Sequence, residues 1–202
     1  MTASIQNMSE AVKLRFMGKM VEYVSKYMKK VKSRHTELFQ KRGLDNTHKI
    51  SIFKLYNSKK EKFAEEFSTS IDFTFFCDLI FDFFKASGEK IIKNPQLLTQ
   101  DFKNPANLNM DVFKRRITLL NYASVVTDCM KLIVKSKAYG CTSNIEKVAG
   151  NLATVLLLPS QQSKNQADLT KIILSLLTLN ENRDAISQSA SMTQTIEDDK
   201  ES

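Results

Sequence analysis

Apolar residues recur at steps of three and four along the first part of the chain, which is the spacing of one face of an α-helix. This pattern predicts a helix from Glu10 to about Arg34, capped by Ser9 and ended no later than Gly43. Its apolar face comprises Met17, Met20, Val21, Val24, Tyr27, Met28 and Val31. Basic residues recur with the same period on the other side, so the helix is expected to bury one face and expose a cationic one.

Two further helices are predicted between residues 45 and 88. Asp45 or Asn46 caps the first of them. Ser70 opens the second, SIDFTFFCDLIFDFFKASG, which ends at Gly88. The polar positions of this second helix form a narrow stripe, made of Thr74, Asp78, Asp82 and Lys85. Because the other positions are mostly apolar, we expect the Phe-rich helix to run through the middle of the core; alternation over residues 71–75 makes a short strand the competing interpretation.

The second half of the chain carries four more helical patterns. Their predicted spans are 95–103, 109–138, 143–157 and 168–179. Ser143 and Glu146 form a capping box for the third of them, and Pro159 is expected to end it. A polar loop, 160–166, is predicted before the last helix.

From residue 182 onward the periodic pattern is lost. The segment is rich in Ser, Thr and Gln and ends acidic, which is typical of a disordered tail. Only five Gly and three Pro occur in 202 residues, and this scarcity favours long helices with short connections. The sequence therefore predicts an all-α fold: a single compact bundle of six or seven helices over residues 1–181, with a disordered acidic tail over 182–202.

Charge is distributed very unevenly along the chain. The first 62 residues hold 15 Lys or Arg against 5 Asp or Glu, a net charge of +10, whereas the remaining 140 hold 15 against 17, a net charge of −2. A concentrated basic surface attracts phosphates or acidic proteins. We therefore expect a nucleic acid as the partner, with RNA or another single strand favoured, because the cations line up along helix faces.

The candidate nucleic-acid-binding residues are basic positions on these helices, together with a short cluster in the second half. They are Arg15, Lys19, Lys26, Lys29, Lys30, Lys32, Arg34, Lys41, Arg42, Lys59, Lys60, Lys114, Arg115 and Arg116. Lys outnumbers Arg, which suits contacts to the phosphate backbone better than bidentate reading of bases. Tyr23, Tyr27 and His35 lie among these residues and would stack on unpaired bases if exposed. Tyr27 also belongs to the apolar face, so we expect it to lie in the core.

Other interpretations remain open for the basic region. A run of Lys is often only a solvated face. The runner-up function is a helical adaptor or regulator that binds a protein through an apolar groove or forms a homo-oligomer. A basic amphipathic helix also suits a membrane surface or a calmodulin-like acidic partner. Small helical proteins of these kinds serve as accessory factors, including viral ones.

Little in the sequence indicates catalysis, and we expect a protein that is not an enzyme, with no cofactor and no metal site. His35 and His48 lie in the basic region, with no Cys or carboxylate cluster at ligand spacing. Asp78 and Asp82 share a helix face, but a solvent stripe explains them. The chain has three cysteines, an odd count, and they are widely spaced, which predicts reduced thiols in the cytoplasm or nucleus. Cys141 is the one expected to be exposed. No signal peptide and no transmembrane segment are expected.

Overall fold

The computed structural model describes the backbone of residues 9–31, 38–39, 73–87, 91–92, 94–117 and 120–198. It describes their side chains as well, except those of residues 27, 29–31, 73–76, 120 and 180–198. The helix predicted after Asp45 or Asn46 and the Ser70 cap lie outside the described residues.

The described residues form seven α-helices and one 3-10 turn, are 82% helical and include no strand, which confirms the all-α bundle. The helices are α1 (Glu10–Val31), α2 (Phe73–Ala86), α3 (Pro95–Asp101), α4 (Met110–Arg116), α5 (Leu120–Ala138), α6 (Ile145–Leu156) and α7 (Pro159–Asp198). The 3-10 turn is Pro105–Asn107.

Helix packing places α1, α2 and α5–α7 around one core. α1 packs against α5 and α2, and α2 also packs against α6. α7 lies on α6 and α5, while the short helices α3 and α4 contact each other and reach α7 and α5 respectively. Among the described helices, α5 and α2 are thus the main packing partners of α1.

The Phe-rich segment is a helix inside the core, as predicted, and the strand interpretation was wrong. Leu79, Phe81 and Phe83 are buried, and Phe83 stacks on Phe16 of α1 with ring centroids 5.1 Å apart. The polar stripe is not a solvent stripe throughout, however. Asp78 is buried, Asp82 is half-buried and Lys85 is exposed, whereas the side chain of Thr74 is not described.

The single helix predicted over 109–138 is interrupted. Asn109 caps α4 by accepting a hydrogen bond from the backbone N–H of Val112 at 2.9 Å, but α4 ends at Arg116. Ile117 then has extended backbone (φ −81°, ψ 124°), and its side chain is buried. The bend lets Ile117 enter the core, and helix α5 starts only at Leu120. A count of helical periodicity does not detect such a break, because the apolar positions continue across it.

Two predicted boundaries in the last part of the chain were also wrong. The side chain of Asn144, rather than Ser143, caps α6 by accepting from the N–H of Lys147 at 2.9 Å. The polar stretch 160–166 is helical and belongs to α7, because Gln162 and Gln166 donate hydrogen bonds to Thr154 of α6 at 2.9 and 2.7 Å. Its polar side chains thus make an interhelical contact.

The backbone of α7 remains helical through Asp198, where the sequence predicts a disordered tail. No Gly or Pro occurs between residues 160 and 198, so no residue in that stretch breaks the helix. The last described buried side chain of α7 is Leu177. The division of the chain at residue 181 remains a prediction.

Candidate nucleic-acid interface

Helix α1 presents cationic side chains on the side opposite its buried face. Arg15, Lys19 and Lys26 are exposed, while Phe16, Met20, Val24 and Met28 are among the completely buried residues. On an ideal helix, positions 15, 19 and 26 fall within about 40° of one another at 100° per residue, and the stripe from 15 to 26 is roughly 16 Å long. We call these three residues the α1 stripe.

Part of the charge on the α1 stripe is compensated within the helix. The Nζ of Lys19 lies 2.8 Å from a carboxylate oxygen of Glu22, and both side chains are exposed. The hydrogen bond and the charge of Lys19 lower the pKa of Glu22, with a smaller contribution from Lys26. An exposed pair one turn apart is worth only about 0.2–1 kcal/mol, so a phosphate can compete for Lys19.

Several predicted residues lie outside the description. The backbone of Lys29 and Lys30 is part of α1, but their side chains are not described. The undescribed residues of the set are Lys32, Arg34, Lys41, Arg42, Lys59 and Lys60, and His35 is outside as well. Of the aromatic candidates, the Tyr27 side chain is not described, and Tyr23 is 5% exposed. The condition for base stacking on Tyr23, exposure of its ring, is therefore not met.

The chain that carries the basic run 26–42 is anchored to the core at Leu38 and Phe39. The N–H of Leu38 donates to the carbonyl oxygen of Cys141 at 2.9 Å, and Asn151 donates to the carbonyl oxygen of Phe39 at 3.4 Å. Phe39 is buried, and its ring centroid lies 5.8 Å from that of Phe81. Its φ is positive, 65°, which is rare for a residue other than glycine. These contacts fix one point of the basic run beside the turn between α5 and α6.

The cluster Lys114, Arg115 and Arg116 forms the last turn of α4. The Nε and Nη2 of Arg116 donate to the two carboxylate oxygens of Asp101 at 2.5 and 2.9 Å. This bidentate pair lowers the pKa of Asp101 and raises that of Arg116. Arg115 is exposed. α4 packs mainly on α5 and α3, whereas α1 packs mainly on α5 and α2, so neither α4 nor α1 is a main packing partner of the other.

The structure reveals a groove that the sequence-based reasoning missed. It has a volume of about 300 Å³ and lies between α1 and α5. Its lining residues are Gly18, Val21, Glu22, Ser25, Val125, Asp128, Lys131, Leu132 and Lys135. Asp128, Lys131 and Lys135 recur at three- and four-residue steps and so share one face of α5. That spacing was a readable signal, but only the packing of α5 on α1 gives it a meaning.

Gly18 lies at the α1 side of this groove, in the interior of a helix and exposed. A Cβ atom added there would meet no heavy atom of the described residues within 4 Å. A glycine in a helix interior costs roughly 0.5–1 kcal/mol relative to alanine. The described packing therefore gives no reason for the glycine.

Candidate groups for catalysis or metal binding are few among the described residues, where no group of three His, Cys, Asp or Glu side chains is arranged to hold a metal. Cys77 and Cys129 are buried, as expected, and burial raises the pKa of the Cys129 thiol. Cys141 is buried too, contrary to expectation, because the turn after Gly140 packs under Leu38. Tyr122 is buried and donates a hydrogen bond to Glu10; burial raises the pKa of Tyr122 to about 12.

Within the described part of the chain, none of the helices has the length and apolar character needed to span a bilayer. No protein-family model matches the chain, and neither a curated protein nor a solved structure is significantly similar to it.

Proposed function

We propose that this protein is a non-enzymatic nucleic-acid-binding accessory protein that engages RNA, or another single strand, through its basic N-terminal region. One observation carries the proposal: the +10 net charge of residues 1–62 includes the α1 stripe, which lies on the exposed side of a helix whose other side is buried. Lysines held on a rigid helix meet phosphates with little loss of backbone freedom.

Contacts of this kind bind the sugar–phosphate backbone and carry little sequence information. The side chains of the stripe are two Lys and one Arg, and Lys acts as a point charge on phosphate. Neutralising phosphates releases counterions from the nucleic acid, so affinity depends steeply on salt. We therefore expect weak sequence preference and strong salt dependence.

The alternative, an adaptor with an apolar groove, needs a contiguous apolar surface. Among the described side chains, the large hydrophobic ones with marked exposure are Val12, Leu97 and Leu179, which lie on three different helices, α1, α3 and α7. The described phenylalanines of α2 are buried. Nucleic-acid binding is therefore the better-supported proposal, and a protein partner becomes an outcome of its test.

The test compares two triple variants that remove the same charge. Arg15→Gln, Lys19→Gln and Lys26→Gln remove the α1 stripe, while Lys103→Gln, Lys164→Gln and Lys171→Gln remove three exposed cations elsewhere. Fluorescence anisotropy with a labelled single-stranded RNA should show at least tenfold weaker binding for the first variant and less than threefold for the second. Equal losses would mean that only net charge matters, and would remove the argument for the α1 stripe.

A further inference from the structure

We infer that the groove between α1 and α5 is the seat of one nucleotide of a bound RNA strand, with Gly18 as the point where the strand approaches the helix backbone. This inference rests on the proposed function and narrows it to a place and a class of ligand. It is carried by three features of the groove: a glycine without a packing role, lysines from α5, and two carboxylates.

Gly18 supplies the first argument. The position is exposed, in a helix interior, with open space where a Cβ atom would be. Glycine is the residue used where a ligand must approach the backbone closely. No described atom fills that space, so it is open to an occupant from outside the chain. The volume of about 300 Å³ lies at the lower end of ligand pockets, roughly 300–1,000 Å³, and suits a single nucleotide better than a duplex.

The lysines of α5 supply the second argument. Lys135 reaches across to α1, where its Nζ donates to the carbonyl oxygen and the hydroxyl of Ser25 at 3.0 and 2.9 Å. An ammonium group has three N–H donors, so a third can meet a phosphate oxygen in the groove. Lys131, exposed and one turn away, is held only loosely by Asp128 at 3.5 Å. Together they put two cations on the wall opposite Gly18.

The carboxylates supply the third argument. They repel phosphate, so a ligand of this groove must also offer hydrogen-bond donors. Glu22 and Asp128 also line it, so the four charged lining residues sum to zero. Carboxylates accept hydrogen bonds from hydroxyl and amino groups, and RNA offers both, in its ribose 2′-OH and its bases. The 2′-OH is what distinguishes RNA from DNA at a given site. Phosphate on Lys131 and Lys135 and ribose or base on Glu22 and Asp128 together describe a ribonucleotide.

The experiment fills the groove without touching a charge. Gly18→Leu places a side chain in the open space and replaces a poor helix former by a good one. We expect an unchanged or higher melting temperature and an affinity for labelled single-stranded RNA lowered at least tenfold. Two matched controls should bind like the native protein. Ala11→Leu places the same side chain at another exposed position of α1, and Gly150→Ala changes the other described glycine in a helix interior, where a Cβ would lie 3.9 Å from Thr170.

The results separate the inference from the proposed function. If the native protein binds RNA and Gly18→Leu binds equally well, the groove is not the site, whereas the proposed function stands. If the native protein does not bind RNA at low salt, both fail. A second measurement addresses the ligand class: the native protein should bind RNA several-fold more tightly than DNA of the same sequence, and Asp128→Ala should reduce that ratio. Equal affinity of the native protein for the two strands would overturn the assignment to a ribonucleotide.

Discussion

Lys135 of α5 donates its ammonium group to Ser25 of α1, a residue 110 positions earlier in the chain, at 3.0 Å to the carbonyl oxygen and 2.9 Å to the hydroxyl. The contact joins the basic N-terminal helix to a helix within residues 63–202, a part of the chain whose net charge is −2. It also fixes Lys135 at the groove. The candidate interface is thus built from both parts of the chain, although only the first part has a basic excess.

Replacing Lys135 by Met tests the contribution of its hydrogen bonds to Ser25. The substitution keeps most of the aliphatic length and removes two hydrogen bonds to a charged donor at a half-buried site, so we expect a loss of about 1 kcal/mol in the free energy of unfolding. Lys131→Met is the matched control, because Lys131 is exposed and pairs only with Asp128 in its own helix; it should cost less than about 0.5 kcal/mol. Urea unfolding followed by circular dichroism measures both. Equal effects would show that the tie to Ser25 contributes nothing.

Truncation of the Phe-rich helix tests the core. Leu79 is fully buried, and Leu79→Ala should destabilise the protein by about 3 kcal/mol, as large-to-small changes in packed interiors do. Leu97, which is 41% exposed on α3, gives the matched control; Leu97→Ala should cost under about 1 kcal/mol. A loss below about 0.5 kcal/mol at Leu79 would contradict the packing of α2, and would favour an exposed apolar face and a protein partner.

Comparing the predicted with the observed helix boundaries shows how far the sequence predicts this fold. Periodicity correctly predicted α1 and α2 and the end of α5 at Ala138. Gly140 follows, with a φ of 70° and an N–H that donates to the carbonyl oxygen of Lys137 at 2.8 Å, and it terminates the helix. Local patterns could not predict the break at Ile117, which depends on how that side chain enters the core. They also misread 160–166 as a loop, because its glutamines find their partner, Thr154, on another helix.

The candidate site, too, could be predicted from the sequence only in part. The α1 stripe was predictable, because a helix with one apolar face must expose the other. Burial of Tyr23 and Cys141 was not, because each depends on a neighbour that is distant in the chain or on a turn that packs inward. The groove with Lys131 and Lys135 was missed for the same reason: it exists only where α5 meets α1.

High pH provides a test of the contact between α1 and α5 at Tyr122. The folded protein holds the pKa of Tyr122 at about 12, chiefly through burial and then through its hydrogen bond to Glu10, whereas an unfolded chain ionises tyrosine near 10. The contribution to stability is therefore complete below about pH 10 and is lost as the pH rises toward 12. In a phenolate absorbance titration of the folded protein, Tyr122→Phe should remove a step at about pH 12. A Tyr122 that titrates near 10 would contradict its burial.

Removal of residues 183–202 tests the end of the chain. Because Leu177 is the last described buried side chain of α7, we expect the melting temperature to change little. The deleted segment ends with Glu197, Asp198, Asp199 and Glu201, and a tethered acidic segment competes with phosphate at high effective concentration. Affinity for single-stranded RNA at low salt should rise several-fold. Unchanged affinity would leave the segment without this role, and a large fall in melting temperature would show that it packs on the bundle.

The salt dependence of RNA binding tests the central claim most directly. If about five cations meet phosphates, the slope of log K against log salt concentration for a single strand should be near −3.5, and affinity should fall roughly a hundredfold between about 50 and 200 mM salt. The measurement is an anisotropy titration of a labelled single-stranded RNA at several salt concentrations, repeated with a second sequence, which should give a similar slope and affinity. No binding at 50 mM salt, or a slope close to zero, would contradict the proposal that the basic N-terminal region binds nucleic acid.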